Sequence, residues 1–179
     1  MMRLLILCIV LLLAAFSTTI QPALAQGATH VTGGGTATFN ADLDGDGQED
    51  GSQFGMGVIL HADGSARGHF NCVMGGQSEF LDLALMSVAG KVSSGNINPD
   101  GSAVLSGTGA VKVIAPDGNP LILTDIPFVV TVTAGGPGVG TLRLTVMGIF
   151  DGVPGDTIPG NGNYDLPTEI VDSGRIDIH

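Results

Sequence analysis

After the first 25 residues, apolar side chains recur at every second position in segment after segment, and no window holds a sustained helical period. Phe54, Met56, Val58 and Leu60 alternate with Gly55, Gly57, Ile59 and His61; Phe128, Val130 and Val132 alternate with Val129, Thr131 and Thr133. Leu142, Leu144, Val146 and Phe150 lie on one parity, Arg143 and Thr145 on the other. A period of two sorts residues onto opposite faces of a pleated strand, so each segment offers one face to a core and one to water. Turn clusters separate the segments: Asp63-Gly64-Ser65, Pro99-Asp100-Gly101-Ser102, Pro116-Asp117-Gly118-Asn119 and Gly135-Gly136-Pro137-Gly138. The first two share the tetrapeptide Asp-Gly-Ser-Ala, the same turn chemistry used twice. With 29 glycines, no tryptophan and abundant Val, Thr and Ile, the chain is expected to be all-β. The expected architecture is a single-domain antiparallel β-barrel or β-sandwich of about 8 strands, following a signal peptide. An apolar fraction of 44%, patterned this regularly, excludes a glycine-rich disordered chain.

The expected strands are 31–40, 54–60, 67–74, 90–96, 103–114, 121–123, 128–133, 141–150 and 174–179, with 80–88 readable as a strand or a short helix. Three glycines, Gly33, Gly34 and Gly35, mark a bulge, a barrel corner or a close backbone approach. Between 54–60 and 67–74, paired residue numbers summing to 128 put Val58 opposite Phe70 and Met56 opposite Cys72, so both apolar sets share a face. A sum of 127 would oppose those apolar residues to Arg67, His69 and Asn71. The even sum predicts an odd-length loop of three or five residues with a glycine bulge. It also sets His61 opposite Arg67 and His69 opposite Ile59. His61, Arg67, His69 and Asn71 then share one face, either a ligand-facing polar cluster or, more ordinarily, a solvated strand surface.

The chain opens Met1-Met2-Arg3, continues in a thirteen-residue apolar run from Leu4 to Phe16, and reaches Ala23-Leu24-Ala25. A basic start, a short apolar stretch and a small-residue site make a secretory signal peptide over 1–25, cleaved between Ala25 and Gln26. The run is too short to span a bilayer, so no membrane insertion is expected after cleavage. Cys8 follows Leu7 rather than a small residue, which argues against a lipoprotein site. The remaining domain, 26–179, is expected to be secreted or extracytoplasmic, in the periplasm or at the cell surface. It is long enough to bury a core. Loss of Arg3 takes the formal charge from −11 to −12 and leaves Arg67, Lys91, Lys112, Arg143 and Arg175 scattered singly, so nucleic acid is excluded as a partner. The expected partner is an unknown extracellular ligand or surface component. Only Cys72 remains, so no internal disulfide forms.

One stretch carries specific chemistry: Asp42-Leu43-Asp44-Gly45-Asp46-Gly47-Gln48-Glu49-Asp50. Carboxylates at alternate positions, a glycine after the third and a further carboxylate eight residues from the first match a calcium loop. Asp42, Asp44 and Asp46 supply side-chain oxygens, Gly47 turns the chain back, Gln48 offers its carbonyl, and Asp50 closes the site directly or through water. Five acidic side chains within nine positions repel one another unless a cation lies among them. Position twelve is Gln53 rather than glutamate, and strands rather than helices flank the loop. The D-x-D-x-D-G-x-x-D pattern resembles the inter-strand calcium loops of integrin-type propeller blades and of many secreted bacterial proteins. The bland alternative is an acidic, solvated hairpin tip. The segment 151–167, with Asp156, Asn161, Asn163 and Asp165, reads first as plain loop and second as a weak cation site.

Five segments come in a suggestive order: Val31-Thr32-Gly33-Gly34-Gly35, Phe54-Gly55-Met56-Gly57, Gly68-His69-Phe70-Asn71, Ser106-Gly107-Thr108-Gly109 and Gly174-Arg175-Ile176-Asp177-Ile178-His179. In this order they resemble the post-COAP-type domain of secreted bacterial proteins, often found at the C-terminal end of larger cell-surface chains. The resemblance covers nearly all of 26–179, and the acidic loop stands as an insertion between its first two strands. It implies a small β domain without assigned catalytic residues. The expected function is therefore a non-catalytic secreted or cell-surface module for adhesion, matrix or ligand binding, stabilised by calcium. The alternative is a lipocalin-like barrel holding a small apolar ligand. A hydrolase-type enzyme comes third, because no serine sits in a nucleophile elbow and no acid and base are paired by spacing. Cys72 also falls on the opposite face from His61 and His69.

Overall fold

The computed structural model describes residues 27–40, 42, 47, 49–78, 83–114 and 118–179; the expected signal peptide lies outside them. Nine strands run in order: β1 (Thr29–Thr38), β2 (Gly51–Leu60), β3 (Ser65–Ser78), β4 (Leu83–Ile97), β5 (Ala103–Ile114), β6 (Pro120–Thr133), β7 (Thr141–Met147), β8 (Asn163–Asp165) and β9 (Glu169–Ile178). Each strand pairs antiparallel with its neighbour in the order β6-β5-β4-β3-β2-β1-β9-β7-β8, and a further β6–β7 pairing closes the sheet into a ring. β8 and β9 share one edge of β7, β8 along Thr145 to Met147 and β9 at Thr141 and Leu142, so the barrel wall has eight strand positions. Among the described residues there is no helix, hence none long and apolar enough to cross a membrane.

The alternation predicts which side chains point inward, and the registers arrange them in rows around the wall. One row runs Val31, Val58, Gly68, Val92, Gly107, Phe128, Val146; the next runs Gly33, Met56, Phe70, Gly90, Gly109, Ile126. Each row mixes glycines with large residues, because an eight-strand barrel has an interior just wide enough for side chains to fill or for one small ligand. The fully buried rings of Phe70 and Phe128 meet with centroids 5.7 Å apart. A Cβ at Gly90 would stand 2.6 Å from Phe128 Cε1 and 2.4 Å from the Thr108 carbonyl oxygen, and one at Gly107 would stand 2.9 Å from Phe128 Cζ. Glycine there is space for an aromatic ring.

Several sequence expectations change in the folded chain. The register of β2 on β3 keeps the predicted parity, with Phe54 opposite Cys72, Met56 opposite Phe70 and Val58 opposite Gly68, so paired numbers sum to 126 rather than 128. The cause is the turn. A three-residue hairpin loop needs a left-handed residue at its third position. Gly64 (φ +82°) takes that position, fixing the loop at 62–64, with the His61 amide donating to the Ser65 carbonyl at 2.9 Å. His61 therefore faces Ser65 and not Arg67; Arg67 faces Ile59, and His69 faces Gly57. The second Asp-Gly-Ser turn is built alike, Gly101 (φ +85°) closing a loop bounded by Asn98 and Ser102.

The described part of 80–88 belongs with 90–96 to one strand, β4, and not to a helix. Segments 121–123 and 128–133 likewise merge into β6 across a bulge where Asp125 adopts φ 58°. The last strand begins at Glu169, five residues before the expected start, because a bulge against Thr36 and Ala37 breaks the alternation at Asp172-Ser173-Gly174. β7 ends at Met147, where Gly148 turns the chain (φ +75°).

Antiparallel order sorts the connections between the two barrel rims. One rim carries 61–64, 98–102, 134–140 and the outer ends of β1 and β9; the other carries the connections 39–50 and 148–162.

Candidate functional site

The acidic loop leaves β1 and returns as β2 at the second rim. Its base is tied by the Phe39 amide donating to the Asp50 carbonyl at 2.8 Å. Within it, the chain folds back at Gly47 (φ +87°), whose amide donates to Asp42 Oδ2 at 2.8 Å. The first and sixth positions of the pattern thus meet, as a loop wrapped around an ion requires. Asp44, Asp46 and Gln48, the other expected ligands, lie outside the described residues. Among the described residues no three His, Cys, Asp or Glu side chains stand together as metal ligands.

The neighbouring connection is held by its own carboxylates. Asp151 Oδ1 accepts from the Gly160 amide (2.7 Å) and Oδ2 from that of Gly162 (3.1 Å). Asp156 accepts from the amides of Gly152 (2.8 Å), Ile158 (3.0 Å) and Asp165 (3.2 Å), and these donors hold its carboxyl below the ordinary range. Asp165 is buried and takes Thr145 Oγ1 at 2.7 Å, Asn161 Nδ2 at 2.7 Å and Arg143 at 3.6 Å. Here the acidic side chains fasten a loop by satisfying backbone donors.

Arg67, His69 and Asn71 are exposed at alternate positions on the outer face of β3, and His61 is exposed at the hairpin end of β2. On β2, Gly55 leaves room for the Asn71 side chain, while Gly57 stands at ordinary contact distance from His69. A Cβ at Gly55 would lie 2.9 Å from Asn71 Oδ1, and one at Gly57 would lie 3.5 Å from His69 Cε1. A cleft of about 540 Å³ opens at the adjoining rim between the two Asp-Gly-Ser hairpins, lined by Thr29, His61, Gly64, Asn96 and Ile97 among others. Of the four polar residues only His61 borders it. Cys72 is fully buried, on the opposite face from His61 and His69, and desolvation pushes its thiol up to about 12, with the Glu169 carboxyl adding to the rise. It is no nucleophile at ordinary pH.

One polar group has no counterpart in the sequence expectations. Glu169, at the start of β9, is 2% exposed, and its Oε2 accepts the Ser52 hydroxyl at 2.5 Å. Burial pushes its carboxyl up to about 7, against the pull of the Ser52 hydrogen bond. Ser52 also lies within hydrogen-bonding reach of Cys72, so β2, β3 and β9 bring three heteroatom side chains together inside the wall. The only sequence signal was parity: Glu169 shares its alternation with Val171, a core residue.

Fold and site together define a closed antiparallel β-barrel with an acidic rim. Comparison with known protein families, with curated proteins and with solved structures finds no match to this chain.

Proposed function

We propose that 26–179 is a non-catalytic secreted or cell-surface barrel for adhesion, matrix or ligand binding, with calcium stabilising the β1–β2 connection through Asp42, Asp44, Asp46, the Gln48 carbonyl and Asp50. The observation that carries this reading is the fold-back of Asp42 onto the Gly47 amide, above a base closed at Phe39 and Asp50. An ion bound only by the folded chain stabilises it in proportion to its affinity, about 2.7 kcal/mol when present at a hundredfold excess over Kd. The resemblance to post-COAP-type domains belongs to the same reading, its quoted segments falling on β1, β2, β3, β5 and β9 in turn. The buried rings of Phe70 and Phe128 take up interior space that an internal apolar ligand would need, which favours the outer face and the rims for binding.

Thermal melting with calcium and with chelator, at matched ionic strength, tests the site. For a domain of this size each kcal/mol moves Tm by roughly 2–4 °C, so calcium is expected to raise it by about 5–10 °C. The rise should vanish in the double variant Asp44→Asn, Asp46→Ala; superimposable wild-type melts reject the site.

A further inference from the structure

The ring is unevenly sewn. β1 and β2 share ten ladder pairs, whereas the β7–β9 seam has two, Thr141 with Ile170 and Leu142 with Glu169. Above them the β6–β7 connection supplies the rest: a bridge between Gly135 and Ile176, and backbone bonds joining Val171 to Gly138 and Gly140. Below them the Leu166 amide donates to the Leu144 carbonyl at 3.0 Å and β8 takes over the edge of β7, so the lower seam pair, which carries the buried carboxyl of Glu169, stands at the junction of the two strands.

The surroundings of that carboxyl offer little to a charge. From β2 comes the Ser52 hydroxyl, from β3 the Cys72 thiol, from β7 Leu142, and from β1 the apolar Ala37, which pairs with both Ser52 and Val171. The nearest basic groups in sequence are engaged elsewhere: Arg143 of β7 lies against Asp165, and Arg175 of β9 against Asp177. Asp172 of β9 accepts from Thr36 Oγ1. Cys72 is the titratable neighbour, held as a neutral thiol. A carboxylate formed there has one donor and no cation among the described residues, and burying such an ion is costly. The smallest movement that hydrates it is separation of the two-pair seam, which exposes far less surface than global unfolding.

We propose that Glu169 is a proton-operated latch on the β7–β9 seam: protonated, it bonds Ser52 and holds the ring shut; deprotonated, it releases the start of β9 from β7 and admits water to the barrel interior. The raised titration of this carboxyl sets the working range, which lies between mildly acidic and neutral pH. Because Ser52 lies two residues from Asp50 of the acidic loop, the test is run in chelator throughout, so that no ion in the loop contributes.

Hydrogen exchange of the purified protein, corrected for the intrinsic pH dependence of amide exchange, reads the seam directly. Protection of Leu142, Ile170 and Val171 should fall as pH rises from about 5 to 7.5, by up to about tenfold per pH unit for one proton. The β3–β4–β5 ladders should keep theirs. Glu169→Gln should abolish the fall. Ser52→Ala removes the one donor that favours the carboxylate in the closed ring, and should extend the fall to higher pH. Alkylation of Cys72 at pH near 8 is the second readout. It should be faster in wild type than in Glu169→Gln, although loss of the neighbouring charge would by itself make the Gln variant's thiol more reactive. Flat wild-type protection, an unchanged fall in Glu169→Gln, or loss spread equally over all strands would overturn the latch.

Discussion

At position 90 a single hydrogen stands where a methyl group would strike both the Thr108 carbonyl and the Phe128 ring. Gly90→Ala therefore overpacks the barrel, and its expected cost is about 2–3 kcal/mol, read as a lower urea midpoint at unchanged m-value. Gly101 is different: nothing lies within 4 Å of a Cβ there, so Gly101→Ala carries only the left-handed backbone penalty of roughly 1–2 kcal/mol. Glu169 gives stability a pH dependence of unusual sign. Its carboxyl is raised from 4.5 to about 7, so the folded state binds the proton more tightly than the unfolded chain does. The contribution is complete below about pH 4.5 and is lost as pH rises through about 7. The loss is at most on the order of 3 kcal/mol. Asp63, Asp100 and Asp156 act oppositely: their lowered carboxyls favour folding above the carboxylate range and lose that effect in acid. Denaturant titrations at pH 5, 7 and 8 should show Glu169→Gln gaining on wild type as pH rises.

The elements differ in what holds them. The two Asp-Gly-Ser hairpins are fixed locally, each aspartate taking the serine amide at 2.9 Å and its hydroxyl at 2.6 Å, and they touch where the Gly95 amide donates to Gly64. β9 is fixed only from afar, by β1 on one edge and by β7 with the β6–β7 connection on the other. Deleting 169–179 is expected to abolish the cooperative melt, not merely lower its midpoint, because it leaves β1 and β7 as open edges. Among the described residues the first half of β6 already has such an edge, since β7 pairs only with Phe128 to Thr133. Pro120, Pro127 and the bulge at Asp125 guard it by denying a continuous ladder to any added strand.

Over the whole molecule, a formal charge of −12 on 26–179 includes the two acidic connections, 39–50 and 148–162, whose flanking strands end at the same rim. In chelator, raising ionic strength from about 0.01 to 0.15 M shortens the screening length from about 30 to 8 Å and is expected to raise Tm by a few degrees. The double loop variant, with two charges fewer, should gain less.

The sequence alone determined the class, the strand positions of most segments, the inward parity and the acidic loop's pattern, because a two-residue period and turn glycines are local properties. Gly64 even held the register, since a three-residue loop needs its left-handed residue third; the sum of 128 overlooked that demand. Tertiary structure decided the rest. Ring closure rather than a sandwich, the fusion of 121–123 with 128–133 and the start of β9 all depend on which distant strand supplies the partner. So does the burial of Glu169 beside Ser52: 117 positions separate the two residues, and only the closed wall brings them within a hydrogen bond.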